Sequence, residues 1–141
     1  MSIPNPYTSH TIDFSSIGGL SDEQFFRLCV SNKDLKFEKT SKGEIILMPS
    51  TGGLTSSRNI EIASELRNWN QRTKLGKVFD SSTGFKLPNG ATRSPDAAWL
   101  EKSRWTGLSL EEQKQFVPLC PDFVVELLSE PDALWMAQTK M

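Results

Sequence analysis

Residues 94–100 read Ser-Pro-Asp-Ala-Ala-Trp-Leu, and residues 122–128 read Asp-Phe-Val-Val-Glu-Leu-Leu. Both runs are short, apolar and bounded by Pro or Ser, the pattern of strands buried within a sheet rather than of amphipathic helices. Each carries one carboxylate, Asp96 or Glu126, where a hydrophobe would fit. An ionised acid there is expensive unless a cation or hydrogen bonds compensate it. On adjacent strands about 4.8 Å apart the two acids would reach one magnesium ion at about 2.1 Å per oxygen. Asp122 is a poorer partner for Glu126, because four residues along one strand separate them by roughly 13 Å. The plainer alternative is structural: Asp96 bonds backbone at a strand start, and Glu126 pairs with Arg93 or another cation.

The rest of the chain supplies layers for such a sheet. Ser21 or Asp22 caps an amphipathic helix carrying Phe25, Phe26, Leu28 and Cys29. Leu35 to Lys39 and Glu44 to Met48 flank Thr40-Ser41-Lys42-Gly43 as a β-hairpin. Thr55 to Lys74 holds Ile60, Ile62, Ala63, Leu66 and Trp69 on one side of the longest helix. Two short strands follow, over 76–80 and 83–87, separated by Ser81-Ser82 and followed by an Asn89-Gly90 turn, which reads as a second hairpin or meander. A surface helix over 108–115 is capped by Ser109, and Asp132 to Met141 opens a last helical pattern. Residues 1–18, rich in Pro, Ser and Thr, read as a flexible arm, leaving 19–141 as one domain with a mixed sheet, α+β or α/β in class.

Composition removes several chemistries. The 141 residues are 37% hydrophobic and 23% charged, which suits a folded domain rather than a disordered chain. Apolar runs fall far short of the roughly 20 residues of a spanning helix, and no signal pattern opens the chain, so a cytoplasmic protein without membrane contact is expected. One histidine, His10, leaves little material for a histidine triad or a zinc site. Cys29 and Cys120 lack CxxC spacing and read as small buried hydrophobes in a reducing compartment. Carboxylates, lysines and hydroxyls remain, a donor set suited to hard cations. Net charge is -1, so a nucleic acid must be met by a local patch. Arg58, Arg67, Arg72, Lys74 and Lys77 against Glu61 and Glu65 offer one on or beside the long helix, although most such faces are merely solvated.

Arg93-Ser94-Pro95-Asp96-Ala97-Ala98-Trp99 and Cys120-Pro121-Asp122-Phe123-Val124-Val125-Glu126-Leu127-Leu128-Ser129 occur with Phe37-Glu38-Lys39-Thr40, Gly43-Glu44-Ile45 and the run from Leu75 to Phe85. In this order and spacing they resemble the Uma2 family of endonuclease-like proteins, abundant in cyanobacteria and similar in fold to the PD-(D/E)XK nuclease superfamily. The resemblance implies a restriction-endonuclease-like core with an N-terminal helix and β-hairpin. It also implies Asp96 and Glu126 as ligands of Mg2+ or Mn2+, and hydrolysis of phosphodiester bonds in DNA. Glu38 would be an outer or third ligand, with a salt bridge to Lys39 or Arg93 as the equal alternative. The superfamily's lysine belongs two places after the glutamate, where this chain has Leu128. The resemblance assigns that role to Lys140 of Lys140-Met141. Relatives continue past this helix, so the sequence leads us to expect a domain incomplete at its C-terminus, weak in cleavage and prone to form a homodimer. The rival function is a degenerate or truncated, non-catalytic member acting as a binding or dimerisation module.

Overall fold

In the computed structural model the described residues are 9–128. The first part of the expected arm, 1–8, and the expected last helix with Lys140 lie outside them. Among the described residues, besides one 3-10 turn over Ser15–Ile17, twelve helices and strands follow one another: β1 (His10–Ile12), α1 (Asp22–Ser31), β2 (Phe37–Lys39), β3 (Ile45–Leu47), α2 (Gly53–Thr73), β4 (Gly76–Phe79), β5 (Phe85–Lys86), β6 (Thr92–Arg93), β7 (Ala97–Glu101), α3 (Lys102–Thr106), α4 (Leu110–Lys114) and β8 (Phe123–Val125). They mix helices and strands as expected. The strands form two sheets, ordered β1-β3-β2-β6-β5 and β4-β7-β8. Every ladder is antiparallel, and one isolated parallel bridge joins Phe85 to Val117.

Local chemistry accounts for the boundaries. Ser21 Oγ accepts from the Gln24 N–H at 3.1 Å and Gln24 Oε1 accepts from the Ser21 N–H at 2.8 Å, a capping box that satisfies orphan donors of α1. Ser109 and Glu112 repeat the device on α4. The β2–β3 hairpin turns through Gly43 at φ 87°, a left-handed conformation that side chains resist. Three features depart from expectation. Within the supposed arm, His10–Ile12 pairs with β3, because an open strand edge offers backbone partners to any extended segment. The two strands after α2 do not pair with each other: β4 joins β7, and the expected second hairpin forms between β5 and β6 around the Asn89-Gly90 turn. α3, absent from the sequence reading, follows β7 without a loop.

The main core lies between the sheets. Phe85, Ala98, Leu100 and Val117 are buried there, with Phe79 and Trp105 packed against them. Phe79 stands edge-on to Phe85 at 5.3 Å between ring centroids. A satellite core joins the buried Phe25 of α1 to Phe116 at 5.7 Å. Each such aromatic burial is worth about 2–3 kcal/mol. On α2, Trp69 meets Trp99 of β7 edge-on at 5.6 Å, but Ile60 on the supposed apolar side is exposed. The cysteines correct a second expectation: Cys29 is half-buried, its thiol pushed up by burial, and Cys120 is exposed at the loop before β8.

Candidate metal centre

Asp96 precedes β7 by one residue, and Glu126 follows β8 by one. The ladder pairs Ala97 with Val125, so the next register position sets Asp96 opposite Glu126. There the backbone pattern gives way to a side chain: the Leu127 N–H donates to Asp96 Oδ2 at 2.6 Å. Pro95, which lacks an N–H, puts this end of the ladder beyond further pairing through its own nitrogen. Both acids are half-buried rather than sealed, because they stand at strand ends and not within the apolar runs.

Glu38 sits in the middle of β2 and is 0% exposed. Its Oε2 accepts from Arg93 Nη1 at 3.1 Å and its Oε1 from the Ser94 N–H at 3.3 Å. A carboxylate from one sheet thereby fastens the two residues that lead into Pro95-Asp96. Of the two ion pairs anticipated for Glu38, the one with Arg93 is present. Lys39 turns to Asp22 at 2.7 Å and lies 5.7 Å from the centre of the Phe25 ring. Hydrogen bonds from Lys39 and then Lys86 hold the Asp22 carboxyl below its ordinary value. Asp122 is taken up structurally as well, accepting from the Glu101 N–H at 2.8 Å and from Arg104 Nη1 at 2.7 Å.

A second set of polar groups lies along β4. Asn70 of α2 accepts from the Gly76 N–H at 3.1 Å and from Trp99 Nε1 at 2.9 Å, and donates to the Gly76 carbonyl at 2.9 Å. It acts as a short strand partner that pins the start of β4. A Cβ on Gly76 would collide with the Leu100 carbonyl oxygen and stand 2.5 Å from the Trp99 ring.

Over residues 22–141 the chain matches the Uma2 family, described as "Putative restriction endonuclease". The chain belongs to the Uma2 family. No curated protein matches it. The match begins at the first residue of α1 and leaves β1 outside.

For a Uma2 chain a divalent cation is the group to test against the donors present. Asp96 and Glu126 offer hard oxygens from facing register positions, and magnesium characteristically takes one or two protein carboxylates while keeping waters and substrate oxygens. No group of three or more His, Cys, Asp and Glu gathers at one point among the described residues. Carboxylate oxygens are the donors of hard cations such as magnesium or manganese, whereas zinc characteristically takes nitrogen and sulfur. The position two beyond Glu126 is Leu128, which is exposed.

Sequence reasoning missed Lys102 and Trp105. Lys77 Nζ lies 5.7 Å from the centre of the Trp105 ring. The run Glu101-Lys102-Ser103-Arg104-Trp105 did carry a signal, basic residues beside an aromatic. Among the described residues no helix is long and apolar enough to cross a membrane.

Proposed function

We propose that this Uma2 chain is a metal-dependent DNA endonuclease in which Asp96 and Glu126 hold Mg2+ or Mn2+. The observation that carries the reading is the β7–β8 register, whose next position beyond Ala97 and Val125 sets the two acids opposite each other on neighbouring strands, where the Leu127 N–H bonds to Asp96. When bound, the cation would neutralise phosphate charge and acidify a water molecule. The chain's own groups do the rest. Leu127 N–H holds the Asp96 carboxylate in place, and Glu38, through Arg93 and Ser94, fixes the approach to it. Glu38 is proposed as a positioning residue rather than as the outer or third ligand that the resemblance implies. Lys140 is proposed as the amine that stabilises charge on the phosphate. Hydrolysis adds water across one P–O bond: water's oxygen joins phosphorus, and the departing oxygen leaves with a proton.

Calorimetric titration with Mg2+ and Mn2+, paired with plasmid nicking, tests the assignment on wild type, Asp96→Asn, Glu126→Gln and Lys140→Ala. Either acid variant should lose at least about tenfold in metal affinity and all measurable nicking, whereas Lys140→Ala should lose nicking and keep the metal. Unchanged metal affinity in both acid variants refutes the site. The non-catalytic reading draws on Leu128 in the superfamily's lysine position, and metal binding without any nicking by wild type would favour it.

A further inference from the structure

Four cations line the concave open edge of β4: Arg67 and Lys74 from the end of α2, Lys77 from β4 itself, and Lys102 from α3. Two neighbouring hollows share Asn70, Gln71 and Lys77, so the surface is continuous from Lys102 to Asp80. Asp80 is its one carboxylate among the lining residues, and Asp80 Oδ1 already accepts from the Ser82 N–H at 3.0 Å and the Ser82 hydroxyl at 2.5 Å. Among the described residues none of the four cations makes an ion pair, whereas Arg27, Lys39, Lys86, Arg93 and Arg104 all do. Concentrated like charge without counter-charge favours a polyanion.

Solvated lysines alone would not need the backbone observed at Lys74. It is the one described residue other than glycine with positive φ, at 55°, where it caps α2 with its N–H bonded to the Asn70 carbonyl at 2.7 Å. Glycine is the usual occupant of a left-handed helix cap, and a side chain there costs about 1 kcal/mol. The strain keeps an ammonium at the mouth of the groove. Lys77 is likewise set over Trp105, and the Asn70 bonds to Gly76 fix the relation of α2 to β4.

We propose that this edge is a phosphate track for one strand of DNA, running along β4 toward the acid pair. The inference rests on the nuclease reading for its substrate class. Four residues of β4 extend about 13 Å, an axial length of roughly four base-pair rises at about 3.4 Å each. β4 leaves its ladder with Phe79 opposite Ala98, two positions short of Asp96, so a strand following the track arrives beside the β7 end that carries the acid.

Fluorescence anisotropy with a short labelled duplex in EDTA, over a series of salt concentrations, tests the track apart from cleavage. Lys33→Gln, which removes one exposed positive charge outside the groove, should bind like wild type. Lys74→Gly, Lys102→Gln and Lys77→Gln should each weaken binding severalfold and flatten the plot of log K against log salt by about one unit. Lys74→Gly should also melt higher than wild type, a gain that no loss of folding could mimic. Wild type that does not bind, or a triple variant with the wild-type slope, overturns the track. Failure of the nuclease reading would show separately, as Asp96→Asn retaining whatever cleavage wild type has.

Discussion

Replacing Glu38 by Gln separates a buttress from a metal ligand. Glu38 has no exposed side-chain surface, and its partner Arg93 is 15% exposed. Neutralising one member of a sealed pair costs about 3–5 kcal/mol, because the other charge is stranded. Arg93 keeps a little water, and glutamine preserves volume and an acceptor for the Ser94 N–H, so the expected loss is about 2–3 kcal/mol. For a chain of this size that lowers the melting temperature by roughly 6–10 °C. Thermal unfolding by circular dichroism measures the loss, and magnesium titration of the folded variant measures what remains of the site. Folding should weaken, with metal affinity reduced less than in Asp96→Asn. A variant that melts with wild type yet no longer binds magnesium refutes it and returns Glu38 to the ligand set. The double variant Glu38→Leu/Arg93→Met should recover much of the stability, since a well-packed apolar pair can replace a buried ion pair at little cost.

Gly76→Ala should destabilise by more than about 2 kcal/mol, because the new methyl meets the Leu100 backbone and the Trp99 ring; urea unfolding reads this directly. Asn70→Ala strands the Gly76 N–H and Trp99 Nε1, for an expected loss of about 2 kcal/mol and a red-shifted tryptophan emission. Asp22, with its folded pKa depressed by Lys39 and Lys86, stabilises the fold fully above the ordinary aspartate range. That contribution disappears as pH falls through the depressed value, below about pH 4. Asp22→Asn should therefore be less stable than wild type at neutral pH and converge with it in strong acid, the gap staying under about 1 kcal/mol because the group is half exposed.

What could be read in the sequence was what local chemistry decides. Ser21 with Gln24, and Ser109 with Glu112, announce helix starts through bonds three residues long, and the hairpin around Gly43 follows from a turn. The facing of Asp96 and Glu126 was also anticipated, because two apolar runs with one acid each leave few ways to pair. What escaped depended on partners distant in sequence. Nothing in His10–Ile12 marks it as a strand until the β3 edge is there to receive it. The run Phe123–Val125, apolar enough for a sheet centre, is an edge strand of the described sheet with Phe123 52% and Val124 40% exposed. Hydropathy records how readily a residue is buried and not how many neighbours its strand obtains. The choice of Arg93 over Lys39 by Glu38 likewise needed the β2–β6 register.

The bond from the Leu127 amide to Asp96 gives the protein its own gauge. A backbone proton 2.6 Å in donor–acceptor distance from a carboxylate oxygen resonates according to the electron density on that oxygen. Any event that draws charge from Asp96, whether a proton or a cation, must lengthen the bond and move the signal of that one amide. In a 15N-labelled sample, Leu127 would therefore report the occupancy of the acid pair while DNA is absent, in a single peak and without an extrinsic probe.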